Sequence, residues 1–124
     1  MSQNDLDWQA DFFEQLKVKQ IQIEPSLLST LVLWKITAKH WRQFAEMAEQ
    51  RSLRWVAGWG EQHFPQFYVN ALFEKQGRYL LLRTSIAEDK AEVPSQATVY
   101  PAANRSERHT QDMFGIHFRG HPDN

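Results

Sequence analysis

Residues 67–86, FYVNALFEKQGRYLLLRTSI, read as two strands joined by a tight turn. The chain reverses at Lys75, Gln76, Gly77 and Arg78, where Gly77 supplies the positive φ that such a loop needs. Working back from this hairpin, LRWVAGWG reads as another strand, with Leu53, Trp55, Ala57 and Trp59 alternating, and GEQHFPQ as the loop that follows it. In TLVLWKI, Val32, Trp34 and Ile36 fall on one face and Leu31 and Leu33 on the other, so this strand belongs inside a sheet. Thr37 then stands as the N-cap of a helix, AKHWRQFAEMAEQRS. Trp41, Phe44, Ala45 and Ala48 form its apolar stripe, and Lys39, Arg42, Glu46 and Glu49 suit its wet side.

Nearer the N-terminus, NDLDWQADFFEQLK reads as a helix with Trp8, Phe12 and Leu16 at four-residue steps and Phe13 beside them. Asp5, Asp7 and Asp11 crowd its N-terminal half, where the helix dipole favours anions. VKQIQIEP reads as a short strand that Pro25 stops. After the hairpin, AEDKAEVPS is a charged loop and QATVY at most a short edge strand. A helix then spans about Ala103 to Phe114, with Gly115 as its C′ residue. The order α-β-β-α-β-β-β mixes helices and strands without strict alternation. It predicts an α+β fold: two layers, a mixed sheet of about five strands with helices packed on it, and an irregular and helical C-terminal tail.

The chain has 124 residues, 42% hydrophobic and 13% aromatic, which suits one compact domain over 1–124 with a distinctive tail over 101–124. A net charge of −1 lacks the basic excess of a nucleic-acid binder. The absence of cysteine excludes disulfides, thiolate zinc sites and iron–sulfur ligation from this chain. The opening residues are too acidic and polar for a signal peptide, and no apolar run approaches the roughly 20 residues that span a bilayer, so a soluble domain is expected.

The tail holds the candidate chemistry. From Asn104 to Asp112 the helix carries no apolar residue, so nothing in its sequence docks it on a core. An Arg108–Asp112 pair at i, i+4 is worth only about 0.2–0.5 kcal/mol. Met113, Phe114, Ile116 and Phe118 are the available anchors. Downstream, Pro122 restricts His121 to extended backbone, which suits a presented turn.

These residues carry a resemblance. VPSQATVYPAANRSERHTQDMFGIHFRGHPD, residues 93–123, resembles the signature of the 30-kilodalton subunit family of respiratory complex I. That family is similar to a domain of group 4 membrane-bound nickel–iron hydrogenases, including those of formate hydrogenlyase. Val93, Pro94 and Ser95 match the family's opening, and Ala103 and Asn104 its Ala-Asn pair. Glu107 and Arg108 match two of its charged positions. Asp112, Met113, Phe114 and Gly115 match its next block, and Gly120, His121, Pro122 and Asp123 its last. His109 stands where the family has a second glutamate. The family continues with an Arg-rich segment after the last block, so the resemblance favours a domain cut from a longer polypeptide, leaning towards the fused hydrogenase form.

The resemblance implies a non-catalytic structural or assembly component of a membrane-associated electron-transfer complex, NADH:quinone oxidoreductase or group 4 hydrogenase. The implied partners are the complex I 49-kilodalton-type subunit or the hydrogenase large subunit, with other peripheral-arm subunits. Cofactors are then expected in the partners only, as iron–sulfur, nickel–iron or quinone sites. The expected location is cytoplasmic, peripheral to the inner membrane through the complex. Arg108 and Asp112 would hold the helix, Gly115 would aim Ile116 and Phe118, and Phe118, Gly120, His121, Pro122 and Asp123 would meet the partner.

Competing readings use the same residues. His109, His117, His121 and Asp112 could serve a small enzyme or a metal site, but Gly115, Gly120 and Pro122 break any continuous helix through His117 and His121. Glu107, Arg108 and Asp112 could form an acid–base set, yet no nucleophile or cofactor loop accompanies them. Ser95, after Pro94, reads as a turn residue. Trp34, Trp41 and Trp55 read as core, and Trp59, between two glycines, as the tryptophan nearest the surface.

Overall fold

The computed structural model describes residues 8–28 and 31–123. Helix α1 covers Trp8–Val18 and is followed by β1, Glu24–Leu28, and β2, Leu31–Lys35. A 3-10 turn over Ala38–His40 leads into α2, Trp41–Gln50. Three long strands follow: β3, Arg54–His63; β4, Gln66–Lys75; and β5, Arg78–Ala87. The chain closes with β6, Glu92–Pro94, helix α3, Ala103–Phe114, and β7, His117–Arg119. The large sheet has the order β1-β2-β5-β4-β3. Its pairs are antiparallel except β2 with β5, which run parallel, and β6 and β7 form a separate parallel pair. This is the expected α+β arrangement of a five-stranded mixed sheet under helices.

The 67–86 hairpin forms the centre of that sheet. Lys75 pairs with Arg78 across a two-residue turn in which Gln76 and Gly77 both take positive φ, 55° and 78°. That is the turn whose twist matches the flanking strands. β2 lies inside the sheet, as its two apolar faces require. The α2 stripe is buried as read, and so are Trp8, Phe12 and Leu16 of α1. Phe12 packs at 5.0 Å from Phe44, which meets Phe73 of β4 at 5.5 Å, tying both helices to one face of the sheet. Asp5 and Asp7, read as the start of α1, lie outside the described residues.

Several local readings are corrected. The first strand begins at Glu24 and contains Pro25 instead of ending there. β1 is an edge strand, where a residue without an N–H is tolerated. Thr37 precedes only the 3-10 turn, with no side-chain cap, and α2 starts at Trp41. β3 runs on through Gly60–His63, so most of the supposed loop is strand and only Phe64 and Pro65 turn the chain. A bulge between Trp55 and Ala57 breaks the alternation, leaving Trp55 buried and Trp59 37% exposed. The supposed strand at QATVY is a turn, with Tyr100 N–H donating to the Gln96 carbonyl at 2.8 Å.

Helix α3 has the predicted span, and Gly115 ends it at φ 75°, donating to the Gln111 carbonyl at 2.7 Å. It is nevertheless well docked, against expectation. It lies on β3, burying Ala103, Glu107 and Thr110, with Phe114 5.6 Å from Phe67. Gly60 makes room for it: a β-carbon there would stand 2.8 Å from the Thr110 methyl and 2.9 Å from the Phe114 ring. A small-to-large change in so close a contact costs roughly 1–3 kcal/mol. Gly60→Val should therefore lower the unfolding free energy obtained from urea denaturation by that order and expose Phe114, whereas an unchanged value would show that α3 gives way freely.

Candidate functional site

Two residues of the tail motif, Ser95 and Glu107, meet at a buried carboxylate. β6 delivers Ser95 at its end, where Ser95 N–H donates to the Arg119 carbonyl of β7 at 2.8 Å. Glu107, on the inner side of α3 and 5% exposed, accepts from the Ser95 hydroxyl at 2.5 Å and from Gln96 N–H at 2.7 Å. Ser95 Oγ in turn accepts from Ala97 N–H at 3.0 Å, the contact of a turn residue and not of a nucleophile. Burial pushes the Glu107 carboxyl above its ordinary value, and the Ser95 and Gln96 donors, with the charge of Arg42, pull part of the way back.

Two residues outside the motif complete the network. Gln96, 1% exposed, donates to the Trp41 carbonyl at 2.9 Å and accepts from Trp55 Nε1 at 3.2 Å. Arg42 suits the wet side of α2 by sequence, but its side chain turns back along the fold. Its Nε donates to the Ser95 carbonyl at 2.7 Å and its Nη2 to the Arg119 carbonyl, so it ties β6 and β7 to α2. Its position beside the Trp41 stripe is the available signal in the sequence.

The Gly120–Asp123 turn closes against the start of α3. His121 is 5% exposed, with Nε2 3.2 Å from the Asn104 carbonyl, while its Nδ1 accepts from Asp123 N–H at 3.1 Å. That pair of contacts fits the neutral tautomer with the proton on Nε2. Asn104 Nδ2 donates to the Asp123 carboxylate at 2.9 Å. Phe118 and Ile116 are 1% and 0% exposed. The structure thus turns Phe118 and His121 inwards, whereas the sequence suggests that they are presented. Gly120, Pro122 and Asp123 are the exposed members of that set, and Met113 is 60% exposed.

The other groupings are not brought together. Arg108 and Asp112 are exposed, and no ion pair joins them among the described residues. They also lie away from buried Glu107, which separates the supposed acid–base set. His109, His117 and Asp112 are exposed while His121 is buried with both ring nitrogens engaged. Among the described residues, no three His, Asp or Glu side chains are grouped to hold a metal ion. Pro94 is buried in β6, opposite Arg119 of β7.

A mixed sheet with helices on one face and a C-terminal motif folded into its own hydrogen-bond network defines an α+β domain whose signature residues build structure. The chain belongs to the respiratory-chain NADH dehydrogenase 30 kDa subunit family, whose model matches residues 21–124. The C subunit of NADH-quinone oxidoreductase from Ruegeria pomeroyi is 54% identical over 61 residues, covering 49% of this chain and 26% of the relative. The C/D subunit of the same enzyme from Chromohalobacter salexigens is 53% identical over 47 residues, 38% of this chain and 8% of the relative. The matched stretch is thus a small part of each of these relatives. Among solved structures, a chain of the archaeal membrane-bound sulfane sulfur reductase, a respiratory membrane complex, superposes with a TM-score of 0.76 at 20% identity, over 92% of this chain and 72% of that one. A trypsin-resistant fragment of Nqo5 superposes with a TM-score of 0.70 at 21% identity, over 94% of this chain and 98% of the fragment. At those identities the likeness is one of fold. Among the described residues, no helix is long and apolar enough to cross a membrane.

Proposed function

We propose that the chain is a non-catalytic assembly component of a membrane-associated electron-transfer complex, and that its tail docks it on the large subunit. The family match over residues 21–124 carries this reading. The sequence relatives from Ruegeria and Chromohalobacter belong to NADH-quinone oxidoreductase, which favours a 49-kilodalton-type subunit over a hydrogenase large subunit as the partner. Iron–sulfur, nickel–iron or quinone chemistry then belongs to partners. The chain would sit on the cytoplasmic side of the inner membrane through its complex.

The docking surface is the outer side of the tail: the Gly120-Pro122-Asp123 turn together with Met113. Phe118 and His121 act on it from within, by fixing the turn. To test this, Met113→Asp and Pro122→Asp would be combined in a tagged chain and the complex purified through the tag. Loss of the large subunit, with the melting temperature of the chain itself unchanged, is expected. Recovery at the wild-type level would remove the docking role of this surface.

A further inference from the structure

The face of the sheet opposite the helices carries a charged row of its own. In register across all five strands stand Glu24, Lys35, Arg83, Asn70 and Trp59. Because Trp34 and Ile36, and Leu82 and Thr84, point into the core, their neighbours Lys35 and Arg83 point away from it. The two cations are directly opposed on β2 and β5. Like charges in opposed positions work against sheet stability; Arg83 has partners within the fold, and Lys35 is the cation that the sheet leaves unexplained.

Arg83 is held in one pose. Its Nε donates to Asn70 Oδ1 at 2.8 Å, its Nη2 to Glu61 Oε2 at 3.2 Å, and its guanidinium lies 4.9 Å over the Tyr68 ring. Tyr68 is itself stacked on His63 at 4.2 Å. Glu61 also accepts from Trp59 Nε1 and Asn70 Nδ2, at 3.1 and 2.8 Å. Burial opposes ionisation of Glu61, but these donors, His63 and the Arg83 charge outweigh it and hold its carboxyl below the ordinary value. Lys35 is different. It is exposed and, among the described residues, paired with no carboxylate, although Glu24 is its neighbour on β1.

Lys35 and Arg83 line one open cavity of about 430 Å³, together with Glu24, Tyr68, Gln66 and Ser85. Trp59 on the same face is 37% exposed, and Phe64, at the turn between β3 and β4, is 85% exposed. Arg, Tyr and Trp held rigid on a surface are the residues that anchor protein interfaces. A small anion in the cavity would pair with Lys35 but leave the aromatic surface bare, whereas a chain segment covers both.

We infer that this face receives an aspartate- or glutamate-bearing loop of a partner subunit, its carboxylate seated between Lys35 and Arg83. The inference rests on the subunit reading proposed for this chain, but it places a second contact on the opposite side of the sheet from the helices.

The test uses the complex purified through a tag on this chain and treated with a zero-length carbodiimide, which joins a lysine amine to a carboxylate in contact with it. Mass spectrometry should find Lys35 coupled to an aspartate or glutamate of another subunit. Lys35→Glu should lower recovery of that subunit roughly tenfold without lowering the melting temperature of the chain. Lys35 coupled only to Glu24, or uncoupled where other lysines couple between chains, would overturn the inference and leave the subunit reading standing. Unchanged recovery with Lys35→Glu would do the same. A citrate-dependent rise in melting temperature that is lost in Lys35→Ala, with no coupling between chains, would make the site one for small anions and overturn the partner. A chain that purifies with no other subunit would overturn both readings.

Discussion

Phe118→Ala is expected to lower the unfolding free energy by about 3–5 kcal/mol, the usual range for emptying a buried phenylalanine site. Phe118 is 1% exposed and pairs with Val93, itself fully buried, across the β6–β7 ladder. Both belong to the continuous core that includes Trp41, Phe44 and Phe73. Against a total of roughly 5–15 kcal/mol for a domain, such a loss is severe. Urea denaturation followed by tryptophan fluorescence measures it. Pro122→Ala, an exposed position in the same turn, should stay within about 0.5 kcal/mol of wild type. A Phe118→Ala loss below about 1 kcal/mol would mean that the tail packs loosely and does not share the main core. The result also bears on docking: if Phe118 acts from inside, its removal weakens partner binding only through the fold, and binding and stability should fall together.

What the sequence disclosed depended on how local the determinant was. The 67–86 hairpin, the α2 stripe and the Gly115 helix end each rest on residues within a turn or two of one another, and each formed as read. β2 declared itself as an interior strand because both its faces are apolar. Features set by distant partners were misread. Pro25 is compatible with a strand only at an edge, and edge position is a property of the whole sheet. Helix α3 lacks an apolar stripe, and its docking depends on Gly60, some fifty residues earlier, where an absent side chain makes the room. Arg42 and Gln96 join segments far apart in sequence, and a polar residue beside a stripe gives no sign of which carbonyls it will reach. The motif was legible as a signature, but its inside and outside were not. Phe118 and His121 looked like presented groups because the glycines and proline around them mark a turn, and a turn can fold inwards when a buried acceptor such as the Asn104 carbonyl awaits it.

Glu107→Ala is the second change with a large expected effect, about 2–6 kcal/mol. The buried donors of Ser95 and Gln96 would lose their acceptor, at roughly 1–3 kcal/mol for each group left unsatisfied. Glu107→Gln retains one acceptor oxygen and the volume, and should cost about half as much. Arg108→Ala, exposed and one residue along the same helix, is the control and should be nearly neutral. The pH dependence separates the charge of Glu107 from its packing. Its folded carboxyl titrates above the ordinary 4.5, chiefly because of burial. Between the unfolded and folded values the native state therefore holds more protons than the unfolded state, so this group's contribution is full below 4.5 and is lost as pH rises through the folded value. Glu61 and Glu74, both held below the ordinary value, act in the opposite sense, and their contributions are lost only as pH falls below 4.5. Urea midpoints taken from pH 4.5 towards neutrality should accordingly fall more steeply for the wild type than for Glu107→Gln. Parallel profiles would show that Glu107 has the same affinity for its proton folded and unfolded, and that its role is hydrogen bonding alone.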